Sequence, residues 1–92
     1  MKKLILILLL INSFAGMAQV AINTDNSDAD NSAMLDVKST TKGLLIPRMT
    51  TAQRDAIAGP ANGLLIFQTD GAPGFYYNSG SAVTPSWTLI GT

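Results

Sequence analysis

Apolar and polar positions along this chain fall into short blocks, and the period of each block predicts a different element. The first block is unbroken: Leu4 to Ile11 is apolar throughout, Met1-Lys2-Lys3 puts positive charge ahead of it, and Gly16-Met17-Ala18 puts small residues behind it. Positive start, apolar core and small-x-small step are the three parts of a secretory signal. Spanning a bilayer takes about 20 apolar residues, more than this run supplies before Asn12 and Ser13 interrupt it. The expectation is a helical signal peptide over 1–18, cut between Ala18 and Gln19, with no membrane span in the mature chain. The location that follows is secreted or cell-surface.

Beyond Gln19 the blocks shorten and their period falls to two. Val20 and Ile22 alternate with Ala21 and Asn23, and Leu35 and Val37 alternate with Asp36 and Lys38, which reads as two short strands. Asn23 to Ser32 between them is almost wholly polar and reads as a solvated loop. Gly43-Leu44-Leu45-Ile46 then recurs as Gly63-Leu64-Leu65-Ile66. Apolar runs this short, bounded by Gly, read as buried strands, with Pro47 halting the first because it has no N–H to donate. Between the copies, Thr50 followed by Gln53 fits a capping box and Gly59-Pro60 fits a stop, predicting one short helix over about 50–58 with Ile57 and Ala52 or Ala56 packed on the strands. Gly74 to Asn78 and Ser86 to Ile90 read as a final antiparallel hairpin.

The fold class is thus mainly β: short antiparallel strands and hairpins with one short helix. Its organisation is a signal peptide over 1–18, N-terminal strands and a polar loop over 19–42, and a small β-rich module over 43–92.

Composition removes most chemistry from this picture. Among 92 residues there is no His, no Cys and no Glu. That excludes imidazole bases, thiol nucleophiles, disulfides and His- or Cys-ligated metals, and it excludes lipid attachment at a Cys after the signal. No cofactor and no enzymatic activity are expected. After Ala18, four cations (Lys38, Lys42, Arg48, Arg54) stand against six Asp, too few and too scattered to displace counterions from nucleic acid. A chain this small, without disulfides, has little core of its own, so self-association or service in a larger surface assembly is the expected source of stability.

Three patterns remain as candidate sites. Asp28, Asp30 and Ser32 start a calcium-loop spacing, but Ala33 stands where Gly is needed and Ser39 where the bidentate acid belongs, so the loop reads as solvated and no metal site is assigned. Ser39-Thr40-Thr41-Lys42 has bare S-x-x-K spacing without its companion motifs, and reads as a turn. Tyr76, Tyr77 and Trp87 form the candidate surface-binding set, a stacking platform for a glycan, although neighbouring strand residues point to opposite faces.

The stretch from Ser32 through Pro47-Arg48-Met49-Thr50-Thr51-Ala52-Gln53-Arg54-Asp55-Ala56-Ile57 to Gly63-Leu64-Leu65-Ile66-Phe67-Gln68-Thr69-Asp70, with Phe75-Tyr76-Tyr77-Asn78 and Trp87 after it, resembles a module of bacteriophage tail fibres and of secreted or surface proteins of Bacteroidetes. The resemblance implies a fibre- or adhesin-like structural module, often part of a homotrimer, with no catalytic residues to carry over. Relatives of this kind often continue into a β-rich shaft and a self-cleaving C-terminal chaperone domain; this sequence stops at Thr92, after the Trp87 strand. Since tail fibres assemble inside the host cell, the signal favours the bacterial secreted context. The leading expectation is a non-catalytic structural or adhesion module, and the alternative is a carbohydrate-binding module.

Overall fold

The computed structural model describes residues 18–91. The signal-peptide expectation falls, but for Ala18 and the Gln19 that follows it, outside the described residues. The chain divides into two compact units between Gly43 and Leu44.

The first unit is built on two strands, β1 (Val20–Ile22) and β2 (Leu35–Val37), where the period-two pattern put them. They pair in parallel, Val20 opposite Leu35 and Ile22 opposite Val37. A parallel pair needs a crossover, and the polar run supplies it. That run is better ordered than a solvated loop. Asp25 accepts from the Ser27 hydroxyl and amide at 2.6 and 3.0 Å, and Asp30 repeats the arrangement with Ser32 at 2.6 and 2.9 Å. The Ser27 and Ser32 hydroxyls, with their amides, hold both carboxyls below the usual carboxylate value. Each is an Asx turn closed by the residue two places on.

The second unit is a four-stranded sheet in the order β3-β4-β5-β6, formed by Arg48–Met49, Leu65–Gln68, Gly74–Asn78 and Trp87–Leu89. The β4–β5 and β5–β6 pairs are antiparallel, as the hairpin pattern predicts, whereas β3 joins β4 in parallel. The mainly-β class holds, with parallel pairing at one edge of this sheet and in the first unit.

Two local readings change. The first Gly-Leu-Leu-Ile copy forms no strand, and its leucines lie in water rather than in a core, Leu45 being 73% exposed. Pro47 starts the short β3 instead of stopping a strand: it needs no N–H there, and its carbonyl accepts from the Phe67 amide at 2.9 Å.

The helix, α1 (Thr51–Asp55), is shorter than 50–58. Its start is as the sequence predicts, Thr50 Oγ1 accepting from the Gln53 amide and Gln53 Oε1 from the Thr50 amide. Its end comes early. Ala56 is the C-cap, and Pro60 beyond it is drawn into the core. A helix of this length gains little from propagation, so a tertiary anchor decides where it stops. Ala52 and Ala56 are exposed, Ile57 just beyond the helix is half-buried, and Arg54 lays its guanidinium over Tyr76 and Trp87 of the sheet. The start is also held from outside, because Asp70 accepts from the Thr51 amide at 2.7 Å and its hydroxyl at 2.8 Å.

Thr50→Ala is expected to cost about 1 kcal/mol, because it removes the hydroxyl that accepts from the Gln53 amide and leaves only the Gln53 half of the box, which bonds the backbone amide of residue 50. The midpoint of urea unfolding, read by fluorescence of the single Trp87, checks this. Asp70 supplies a pH dependence. The Thr51 amide, then its hydroxyl, hold the Asp70 carboxyl below its ordinary value of 3.8. A group whose pKa folding lowers stabilises above the ordinary value and loses that contribution as pH falls through the folded one. Acidification below about pH 4 should therefore lower the Trp87-monitored midpoint, and Asp70→Asn should lose part of that sensitivity.

Candidate functional site

The sheet of the second unit has two unlike faces, fixed by strand alternation. Ile66, Gln68, Tyr76 and Asn78 point to one side, and register places Met49, Trp87 and Leu89 with them. Leu65, Phe67, Phe75 and Tyr77 point to the other, with Arg48 and Thr88.

The first face is closed by polar groups. Only Ile66 and Tyr76 are buried hydrophobics among the described residues, whereas Gln68 and Asn78 are buried amides. Asn78 is fully buried and serves five backbone groups. Its Nδ2 donates to the carbonyls of Pro60, Ser81 and Ala61 at 2.8, 3.2 and 3.3 Å, and its Oδ1 accepts from the Ser86 and Gly80 amides at 2.8 and 3.0 Å. Gly80 must be glycine at this junction, since a Cβ there would overlap the Thr84 carbonyl. Gln68 Nε2 donates to the carbonyls of Asp70 and Ala72 at 2.9 and 3.2 Å, and the Tyr76 hydroxyl also donates to Ala72, at 2.7 Å.

Arg54 reaches from α1 across this face. Its Nη1 donates to Gln68 Oε1 at 2.6 Å, its Nε and Nη2 donate to Asp55 at 3.1 and 2.9 Å, and its guanidinium carbon lies 5.7 Å from the Tyr76 ring centre and 5.6 Å from that of Trp87. A planar cation can satisfy an amide and cover two rings at once, which Lys cannot. The proposed stacking set is thereby dispersed. Tyr76 is in the core, Trp87 on the same side is half-buried near Arg54, and Tyr77 lies on the opposite face. The three rings share no open surface, because two were placed by alternation on opposite sides of one strand.

The second face is apolar and open. Phe67 and Phe75 stand directly opposite across β4 and β5, their rings edge-to-face at 5.0 Å, and Phe75 is 48% exposed. Leu65 beside them is exposed, as is Ile90, whose amide donates to the Phe75 carbonyl at 2.8 Å. Leu44, Leu45 and Ile46 run along the same rings, and with Arg48 they bound a shallow apolar groove over Phe67 and Phe75. Monomeric proteins rarely leave a contiguous apolar surface of this kind in water. Sequence reading takes the two Gly-Leu-Leu-Ile runs as buried strands; Leu44, Leu45 and Leu65 are exposed instead, because the opposite face of the sheet is the one closed by its own side chains.

No grouping of ionisable side chains with the geometry of a metal site occurs among the described residues, and no described helix is long and apolar enough to cross a membrane. Comparison with known proteins then gives the surface a context. The family model described as a phage tail like trimerisation region matches residues 21–92, both units of the chain, and the chain belongs to this family. No curated protein and no solved structure matches it. The match supports self-association and a structural, tail-fibre-like role.

Asn78→Ala should lower the stability of the second unit by about 3 kcal/mol, since it empties a fully buried site and leaves five backbone groups, the buried Pro60 carbonyl among them, without their partner. Equilibrium urea unfolding followed by Trp87 emission measures it.

Proposed function

We propose that this chain is a secreted or cell-surface structural module, adhesin-like and non-catalytic, that assembles as a homotrimer through the open face of the β4–β5 sheet. The observation that carries the reading is the groove of Leu44, Leu45 and Ile46 over the Phe67–Phe75 pair, an apolar surface that nothing among the described residues covers. Membership in a trimerisation family supports copies of the same chain as its occupants. Burying such a surface releases water from branched and aromatic side chains, the main favourable term in subunit association.

Export is supported by the charge, apolar-core and small-residue order of 1–18. A signal of that kind favours the surface of a bacterium, in the manner of the Bacteroidetes proteins the motif resembles, over a phage particle assembled in the cytoplasm. Role and location go together: a module without His, Cys or Glu that joins copies of itself serves as scaffolding for whatever the assembly displays.

Phe75→Asp is expected to weaken association by about a hundredfold, ~3 kcal/mol, because it places an unpaired carboxylate in the buried contact. Leu45→Asp should act in the same direction. Sedimentation velocity over a wide concentration range checks both, with Trp87 emission confirming that the sheet is intact. A wild-type chain that is monomeric throughout would sink the reading.

A further inference from the structure

The ribbon of the first unit presents a second surface that the open sheet does not explain. Pairing of β1 with β2 lines up Val20, Leu35, Ile22 and Val37 on one side, and all four are exposed. The other side carries Ala21 and Asp36, whose carboxylate accepts from the Asp30 amide at 2.8 Å and faces the Lys38 ammonium at 3.7 Å. One layer of backbone therefore separates four branched apolar side chains from a polar surface. Parallel strands are found almost only where both faces are covered, and two strands alone are not stable in water. A cavity opens beside Ile22 and Val37, on the edge of that apolar side.

The matched trimerisation region supports copies of this chain as what covers it. The match begins at Ala21, inside β1, and runs through β2, so the ribbon is part of that region and no mere leader to it. The crossover needs no partner, because Asp25 and Asp30 close their own turns and Gln19 Nε2 donates to the carbonyls of Ala33, Asp30 and Asn31 at 3.0, 3.2 and 3.3 Å. Only the apolar side is left wanting.

We propose that the ribbon is a second self-association surface, on which the Val20, Ile22, Leu35 and Val37 sides of like chains close against one another, and that the ribbon is held in order only in that state. This rests on the self-association reading. The second unit, which has its own sheet and its buried amide network, keeps its structure when copies separate.

Two readouts separate the units in the full chain. Trp87 reports the second. Trypsin reports the first, since Lys38 follows β2 directly and its amide donates to the Ile22 carbonyl at 2.8 Å, a bond that must open before the protease can engage the chain. Cleavage after Lys38 is expected to be slow where sedimentation shows the assembled form and fast on dilution to the monomer, with Trp87 emission unchanged. Ile22→Asp should expose Lys38 at every concentration and raise the dissociation constant of the assembly at least about tenfold, again without moving Trp87. Val37→Thr, which keeps the side-chain shape, should shift both in the same direction by less.

Lys38 protected in the wild-type monomer, or Ile22→Asp and Val37→Thr assembling as the wild type does while Phe75→Asp does not, would overturn the ribbon proposal and leave self-association standing. A wild type that never associates would overturn both.

Discussion

The second unit depends on one side chain, the buried amide of Asn78 at the end of β5. Its five hydrogen bonds reach Pro60 and Ala61 ahead of β4, and Gly80, Ser81 and Ser86 in the loop to β6. Those segments have little apolar content with which to adhere to the sheet, and an amide can replace packing only where every donor and acceptor is met. No buried side-chain polar atom among the described residues lacks a partner. Pinning Pro60 also explains the early end of α1. That in turn sets Arg54 over Tyr76 and Trp87.

From this follows the contrast between the two faces. Amides, a guanidinium and a tyrosine hydroxyl complete one side within a single chain, each held by specific geometry. The other side holds the aliphatic and aromatic residues that would ordinarily make a core. The chain has inverted the usual placement: directional bonds fix the fold of each copy, and the non-directional hydrophobic surface is left outside, where the proposed contact between copies would cover it. The ribbon of the first unit repeats the scheme, with Asx turns and the Gln19 amide ordering its loop and four branched residues left outside.

What could be read from the sequence was what local physics decides. The strands at Val20–Ile22, Leu35–Val37, Leu65–Gln68, Gly74–Asn78 and Trp87–Leu89 announce themselves by alternation or β-branched and aromatic content, and the Thr50–Gln53 box by its spacing. What could not be read was decided at a distance. Nothing near Leu44 says that its run will find no strand to pair with, since that depends on which face the amides occupy. The parallel direction of β1 and β2 depends on the crossover, and its cue, Asp-Asn-Ser occurring at Asp25 and again at Asp30, was present in the sequence within a run read as a solvated loop. The Tyr76, Tyr77 and Trp87 set was dispersed for the same reason: alternation separates the tyrosines, and an arginine from another element occupies the face the other two share.

The polar closure of the sheet also governs how the protein responds to temperature. Heat capacity rises on unfolding in proportion to the apolar surface released and falls with the polar surface. A copy whose covered face is closed by Asn78, Gln68 and Arg54 releases little of the first and much of the second, so its own stability curve is shallow. In the proposed assembly, separating the copies would uncover Leu44, Leu45, Leu65 and Phe75, which carry the larger heat-capacity change. Cooling weakens contacts of that kind while leaving amide networks in place. In the cold the proposed assembly would come apart before the second unit of any copy unfolds.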